Sequence, residues 1–291
     1  MEAFLFQVFS GLATGCVYAL IALALVMVHK SSKLANFAQA EIATFSTFIA
    51  WACMTAGASY AVSAALTLLS SFAIGYAINA LLLQRLQDRR TPEISVLMVL
   101  VGLLMLFHSL SGSLFGYKVQ TFPSPLPKVS YLGGLVTAHQ LGIYGVTAAI
   151  MLALYLFFSH TDIGLKMRAA AASPDSARLT GISVRHMASL GWGIATVIGA
   201  IAGMMIAPIL YLDPLMMTSM LIYGFTAALL GGIDHPKGAI VGGLLVGVGE
   251  NLLGAYVIGT ELKLTVANLL IIGILLFRPA GIFGKPGVSR V

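Results

Sequence analysis

The feature that most constrains this chain is a succession of apolar segments, each close to the length that a helix needs to cross a membrane. About 20 mostly apolar residues span the hydrocarbon core, within a range of roughly 17 to 25. Nine segments meet or approach this length: residues 4–28, 37–56, 60–83, 94–116, 140–158, 187–211, 215–232, 238–256 and 262–277. The seventh and ninth are short, so a full span and a re-entrant half-helix both stay open for them. The pattern predicts an all-α, polytopic membrane helix bundle with about 8–9 transmembrane helices, forming one domain over residues 1–291.

Composition excludes the soluble alternatives. Only 9% of the 291 residues are charged and 59% are hydrophobic, whereas a soluble globular domain carries about 25% charged residues. The 16 basic and 10 acidic side chains could not coat a soluble body of this size. A soluble enzyme, a disordered chain and a nucleic-acid-binding domain are therefore excluded. The net charge of +6 is better explained by the orientation of the chain in the membrane.

The distribution of Lys and Arg predicts the orientation, because cytoplasmic loops carry an excess of basic residues. With the N-terminus outside and nine alternating spans, 13 basic residues fall inside and 3 outside. The inner ones are Lys30, Lys33, Arg85, Arg89, Arg90, Lys166, Arg168, Arg178, Arg185, Lys237, Arg278, Lys285 and Arg290, and the outer ones are Lys118, Lys128 and Lys263. This places the C-terminus in the cytoplasm, a charged loop (residues 159–186) inside, and a Pro- and Gly-rich loop (residues 117–139) outside.

Motifs for catalysis are missing from the sequence. It contains no Gly-x-x-x-x-Gly-Lys-Ser/Thr phosphate loop, no His-Glu-x-x-His pair, no Cys-x-x-Cys pair and no Gly-x-Ser-x-Gly elbow. We therefore expect no catalytic residue, no metal site and no enzymatic activity in this chain.

The inner loop carries the clearest local structural signal. Ser173 suits an N-cap, Pro174 the first helical position, and Asp175 the positive end of the helix dipole. Asp175 can pair with Arg178 three residues later, and Gly181 suits the left-handed residue that ends a helix. The loop should hold a two-turn helix, which is marginal alone in water. Packing on its own bundle and docking on a cytoplasmic partner are both open from the residues alone.

Several polar residues fall inside predicted spans, where they are costly and often functional. Glu250 lies near the middle of the eighth span beside Asn251, and either a solute pathway or a hydrogen bond between helices would explain it. Asn36 suits an N-cap, with Gln39 at the reciprocal capping-box position and Glu41 near the positive end of a helix dipole. Asn36 and Glu41 are thus candidates for a structural role or for the pathway.

Glycines recur at the spacing of helix contacts. Gly11 and Gly15, Gly199 and Gly203, and Gly243 and Gly247 are each four residues apart. Small residues at this spacing let helix backbones approach closely, so we assign these six to helix packing.

Taken in order, a set of short motifs resembles the branched-chain amino acid ABC transporter permeases, in their first-permease subfamily for hydrophobic amino acid uptake. The motifs cover nearly the whole chain: Gly11-Leu-Ala-Thr-Gly15, Asn36-Phe-Ala-Gln-Ala-Glu41 (with Ala40 where the family has Gly), Arg168-Ala through Thr180-Gly-Ile, Leu230-Gly-Gly-Ile, Gly242-Gly-Leu-x-x-Gly-x-x-Glu250 and Phe277-Arg-Pro-Ala-Gly-Ile-Phe-Gly284.

The resemblance implies a transmembrane permease subunit of a bacterial ABC importer in the inner membrane. It implies a cytoplasmic coupling helix seated in an ATPase subunit, with these coupling residues: Arg168, Ser173, Pro174, Asp175, Arg178, Leu179, Thr180 and Gly181. It also implies a second homologous permease, two ATP-binding cassette subunits that hold ATP and Mg²⁺, a periplasmic solute-binding protein, and surrounding membrane lipid. This chain itself would carry no cofactor and bind no nucleic acid.

The expected solute is a branched-chain or related amino acid. Urea, amides and aromatic acids are open alternatives within the same importer class. A stand-alone secondary transporter or channel is an alternative of a different class, which would need ion-coupling or filter groups of its own within the membrane.

Overall fold

The computed structural model describes residues 2–88, 91–278 and 280–284 of the chain. Four of the basic residues used for the topology, Arg89, Arg90, Lys285 and Arg290, lie outside the described residues, as does Pro279 of the last motif.

The described residues are mostly helical, with one small hairpin and several loops, and they include a helix at each of the nine predicted positions. The helices are α1 (Glu2–Ser32), α2 (Gln39–Thr55), α3 (Tyr60–Ala77), α4 (Gln84–Asp88), α5 (Glu93–Phe115), α6 (Ala138–His160), α7 (Asp162–Ala172), α8 (Pro174–Leu179), α9 (Val184–Leu210), α10 (Thr218–Gly231), α11 (Pro236–Leu253) and α12 (Lys263–Phe277). Two π-helical stretches, Ile78–Leu83 and Gly254–Ile258, follow α3 and α11 directly. No local pattern in the sequence predicts these wider turns.

Six of these helices are long and apolar enough to cross a membrane: Glu2–Ser32, Tyr60–Asp88, Glu93–Phe115, Ala138–His160, Val184–Leu210 and Pro236–Val257. The seventh and ninth predicted spans, α10 and α12, are shorter apolar helices of 14 and 15 residues. The all-α, multi-pass membrane architecture that the apolar segments predict is therefore confirmed.

The chain divides into two compact units. The first unit consists of Met1–Val26, Pro123–Thr147 and Thr218–Val291, and the second of Met27–Phe122 and Ala148–Met217. Two of the four boundaries fall within the continuous helices α1 and α6. The single domain expected from the sequence stays a prediction.

In the first unit, α1 and α11 approach each other through glycines. A Cβ atom added at Gly11 would lie 2.8 Å from the Cα of Val248, and one added at Gly15 would lie 3.0 Å from the carbonyl oxygen of Gly243. A Cβ added at Gly247 would collide with the backbone of Gly15. Backbone cannot give way as a flexible side chain can, so this crossing requires glycine on both helices.

In the second unit, glycines on α9 make room for polar side chains of α2. A Cβ atom at Gly199 would collide with the Gln39 amide, and one at Gly203 with the Thr47 hydroxyl. Trp192, also on α9, is fully buried and donates from Nε1 to the Ser32 hydroxyl over 3.1 Å. The small residues of this unit thus position buried polar groups as well as backbones.

The two long connections contain more structure than the sequence suggested. Residues 159–186 are almost entirely helical, because α7 precedes the predicted two-turn helix and begins where Thr161 accepts from the Gly164 backbone N–H over 3.0 Å. Its run of four alanines, residues 169–172, favours a helix and is the local signal for α7. Within residues 117–139, two short antiparallel strands, β1 (Ser130–Tyr131) and β2 (Val136–Thr137), form a hairpin.

Candidate functional site

The helix α8 is fixed at both ends by its own sequence. Ser173 accepts from the Ser176 backbone N–H over 3.4 Å, and Pro174 occupies the first turn. At the other end Gly181 has φ = +80°, its N–H donates to the Arg178 carbonyl, and the next residue donates to the Ala177 carbonyl, both over 3.0 Å. This pair of bonds is a Schellman motif. The cap and turn predicted for this segment are therefore present.

Its outer surface is exposed and apolar at one point. Leu179 is 90% exposed, while Ala177 on the opposite side is buried. Asp175 and Arg178 pair over 3.4 Å, and both side chains are mostly exposed, as are Arg168 on α7 and Thr180. Leu179 is thus an exposed leucine next to the Asp175 and Arg178 pair, on a helix whose two ends are fixed.

Next to α8, a buried polar network joins α9 to the π-helical stretch after α3. Asn79 and Ser189 are both 1% exposed, and the Ser189 hydroxyl donates to Asn79 Oδ1 over 3.0 Å. The Gln84 amide lies 2.8 Å from both the Arg185 carbonyl and the Ser189 hydroxyl. Arg185 also forms an ion pair with Asp88. Sequence reasoning missed this network because its members lie about 100 residues apart in the chain.

The segment from Asn36 to Glu41 forms a buried polar turn, but not the predicted helix cap. The helix α2 begins at Gln39, two residues later than an N-cap at Asn36 would allow, and its capping position holds Ala38. Asn36 instead accepts from the Ala38 N–H over 3.1 Å and donates to Gln39 Oε1 over 2.9 Å. The capping-box assignment of Gln39 is wrong because its amide nitrogen donates to the Ala195 carbonyl of α9.

Glu41 lies in the first turn of α2, as predicted, and it contacts His108 of α5. Their Oε2 and Nδ1 atoms are 3.4 Å apart, with the Glu41 side chain 3% exposed and that of His108 30% exposed. His108 lies 15 residues along α5 from Glu93, which is a rise of about 22 Å. The start of α2 therefore lies well inside the unit, and Asn36 and Glu41 lie deeper than the sequence suggested.

In the first unit, Glu250 is the centre of a second embedded cluster. The Tyr18 hydroxyl donates to Glu250 Oε2 over 2.5 Å, and the Tyr18 ring stacks on Tyr223 with ring centres 4.7 Å apart. Lys263 Nζ lies 3.8 Å from Glu250 Oε1 and donates to Asn251 Oδ1 over 3.0 Å. The sequence proposed Glu250 and Asn251 for one site but gave no sign that Lys263 and Tyr18 belong with them.

The Lys263 side chain reaches this cluster across a glycine. A Cβ added at Gly254, in the π-helical stretch after α11, would collide with Lys263 Cε. Lysines near the ends of membrane helices usually extend towards water. Here the ammonium turns towards the Glu250 carboxylate instead, with Nζ 3.8 Å from Oε1.

Beside this pair lies a cavity of about 70 Å³ between α10, α11 and α12. Its polar lining consists of Tyr223, Glu250 and Lys263, and the other lining residues are apolar or Gly. Among the residues that the structure describes, no three His, Cys, Asp or Glu side chains come together as a metal-binding group.

Residues 7–275 match the family model described as "Branched-chain amino acid transport system / permease component". The chain is 33% identical to the high-affinity branched-chain amino acid transport system permease protein BraD of Pseudomonas aeruginosa, covering 99% of this chain and 98% of BraD. It is 30% identical to the LivH permease of Salmonella typhimurium and 28% identical to that of Escherichia coli, with the same coverage.

Among solved structures, PsaBC from Streptococcus pneumoniae in complex with Fab is similar, with a TM-score of 0.50 and 16% identity over 94% of this chain and 92% of that one. At this identity the likeness concerns the fold alone. The family match covers nearly the whole chain, including Asn36, Glu41, Glu250 and α8. The chain belongs to the branched-chain amino acid permease family, as its motifs indicated.

Proposed function

We propose that this chain is the permease subunit of a bacterial ABC importer that carries branched-chain amino acids across the inner membrane. The observation that carries the proposal is α8, a helix capped at both ends that presents Leu179 with 90% of its surface exposed. Such a surface suits an apolar cleft on a cytoplasmic protein. The substrate assignment comes from the relatives BraD and LivH, whose names state branched-chain amino acid transport.

The proposed assembly contains this chain, a second homologous permease, two ATP-binding cassette subunits and a periplasmic solute-binding protein. ATP and Mg²⁺ bind in the cassette subunits, and this chain supplies half of the pathway without chemistry of its own. Its N-terminus faces outwards and its C-terminus lies in the cytoplasm, so that α8 reaches the ATPase.

Within this scheme α8 is the coupling helix. The cassette subunit seats Leu179 in a cleft, and Arg178 and Thr180 flank it. Movement of α8 passes to the start of α9, since Gly181 ends the one helix only three residues before the other begins at Val184. The Asn79, Gln84 and Ser189 network then links α9 to the π-helical stretch after α3.

A stand-alone transporter is less well supported, because the two embedded acids already have partners. Glu250 is balanced by Lys263 and accepts from Tyr18, and Glu41 contacts His108. A carboxylate that couples transport to an ion must exchange that ion during the cycle, and Lys263 already balances the charge of Glu250.

Replacing Leu179 with Asp tests the proposal. A charge in the apolar cleft of the partner should abolish co-purification of the ATPase with the permease and stop leucine uptake, because buried unpaired charge is strongly unfavourable. Leu132→Asp is the matched control: this leucine is 70% exposed in the outer hairpin, and its replacement should leave co-purification unchanged. Unchanged co-purification and uptake in Leu179→Asp would contradict the coupling role.

A further inference from the structure

The cavity between α10, α11 and α12 combines two kinds of surface that a small zwitterion needs. Most of its wall is aliphatic, including Leu245, Val246 and Ala267, while Glu250 and Lys263 lie side by side at one point. A ligand site typically has an apolar wall with a few placed polar groups that fix the orientation. The opposite charges of this pair match the adjacent ammonium and carboxylate of a free amino acid.

Both members of the ion pair can form further hydrogen bonds with a ligand. Glu250 Oε1 and Lys263 Nζ are 3.8 Å apart, which is longer than the roughly 2.7–2.9 Å of a charge-assisted hydrogen bond. An ammonium has three donors, and in the described part of the chain its hydrogen-bond acceptor is Asn251 Oδ1.

Asn251, the buried neighbour of the pair, does not line the cavity. Its side chain is more than nine-tenths buried, and its Oδ1 accepts from Lys263 Nζ over 3.0 Å. This bond holds the ammonium beside Glu250, which positions it for a ligand carboxylate.

The size of the cavity limits the side chain of the ligand. Its volume of about 70 Å³ is roughly half that of the engineered apolar cavity of about 150 Å³ that accepts benzene. A short aliphatic group fits such a space better than an aromatic ring. The Glu250 and Lys263 side chains are 12% and 21% exposed, so the charged end of a ligand can reach them from outside.

We propose that this cavity is an amino acid binding site, in which Glu250 accepts from the ligand ammonium, Lys263 donates to its carboxylate, and a short aliphatic side chain packs against Val246 and Ala267. The inference rests on the proposed function and extends it by assigning a substrate site within this subunit. A lipid acyl chain could also fill an apolar cavity, but it would leave the ion pair without a ligand.

The test measures equilibrium binding of radiolabelled L-leucine to the purified complex of permeases and ATPases, without the solute-binding protein. Glu250→Gln and Lys263→Met should each weaken binding at this site about 10- to 100-fold, the range expected when one charge-assisted hydrogen bond is lost. Glu261→Gln, an exposed acid two residues before Lys263, is the matched control and should bind like the wild type. Leucinamide and 4-methylpentanoate, which lack the carboxylate and the ammonium, should compete poorly.

The exchanged pair Glu250→Lys/Lys263→Glu separates ligand binding from a structural role. It keeps one positive and one negative charge, so a purely structural pair would recover normal behaviour, whereas a ligand site is expected to remain impaired. Changes of cavity size give a second readout: Val246→Ala should admit phenylalanine, and Ala267→Val should weaken leucine binding.

The outcomes are distinguishable. A leucine isotherm that is unchanged in both Glu250→Gln and Lys263→Met would overturn the site and would suit an acyl chain in the cavity. Leucine uptake with the binding protein present, but no leucine binding to the wild-type complex, would also overturn the site while leaving the proposed function intact. A wild-type complex that transports no branched-chain amino acid at all would refute the proposed substrate and this inference with it.

Discussion

The two units of this permease each bury an acid, and they stabilise it by different means. In the first unit, Glu250 faces Lys263 and accepts from Tyr18 beside an apolar cavity. In the second, Glu41 contacts His108 beside a turn in which Asn36 and Gln39 bond each other. Lysine keeps its charge in most environments, whereas histidine can become neutral at little cost.

This difference shows that a buried acidic residue can have different roles in different surroundings. Where a counter-charge lies next to a cavity, as Lys263 does, a ligand can replace one partner of the existing ion pair. Glu41 instead lies in the first turn of α2, near the positive end of the helix dipole, and its contact is a histidine. We therefore expect the two acids to respond differently when their partners are removed.

The largest effect is expected from removing the counter-charge of Glu250. Lys263→Met leaves a carboxylate that is 12% exposed without its cation, and breaking a buried pair in this way costs about 3–5 kcal/mol. The variant complex should show a clearly lower midpoint of thermal unfolding and a lower yield. Thermal unfolding of the purified complex, followed by size-exclusion chromatography, measures this.

The double variant Glu250→Gln/Lys263→Met is the control for that loss. It removes both charges together, so the midpoint should return to near the wild-type value, as replacing both partners of a buried pair is often nearly neutral. If Lys263→Met alone unfolded at the same temperature as the wild type, Glu250 and Lys263 would not form a charged pair. The proposed difference between the two units would then be wrong. Leucine binding should stay impaired in the double variant even where stability recovers.

An intermediate effect is expected from Asn36→Ala in the second unit. The substitution removes the acceptor of the Ala38 N–H and the donor to Gln39 Oε1, all within a fully buried turn. The groups left without partners here are uncharged, and leaving an uncharged group unpaired costs less than leaving a charged one unpaired. The midpoint of thermal unfolding should fall by less than in Lys263→Met.

Asn36→Asp is the matched variant for this turn, because it keeps the oxygen that accepts from Ala38 but places a second carboxylate oxygen against Gln39 Oε1 in a fully buried turn. Since buried unpaired charge is strongly unfavourable, we expect a larger fall of the unfolding midpoint than in Asn36→Ala. A smaller fall than in Asn36→Ala would show that the acceptor oxygen for Ala38 contributes more to the turn than the amide donor to Gln39.

The contrast between the acids also shows what the sequence could and could not predict. Hydrophobic length placed the nine helices, and local chemistry placed α8, because Ser173, Pro174 and Gly181 act on neighbours within a few residues. Glu41 was correctly placed in a first helical turn for the same reason. These predictions rest on interactions between residues that are close in the chain.

The partners of the acids depend on tertiary packing. Tyr18 and Glu250 are 232 residues apart and Glu41 and His108 are 67 apart, so no local pattern links them. Lys263 was counted among the outer basic residues with no partner predicted for it, and it reaches Glu250 because Gly254 leaves room for its side chain. Asn36 failed as a helix cap because α2 begins later, where Gln39 bonds across to α9.

The smallest effect is expected from His108→Leu. The His108 side chain is 30% exposed, so water can take over part of its contact with Glu41, and the contact should contribute at most about 1 kcal/mol. Thermal unfolding and leucine uptake should stay close to the wild type, as they should in the control His160→Leu at the exposed end of α6. A loss as large as that of Lys263→Met would mean that Glu41 depends on a charged histidine. The two units would then hold their acids in the same way, and Glu41 would become a second candidate for contact with the solute.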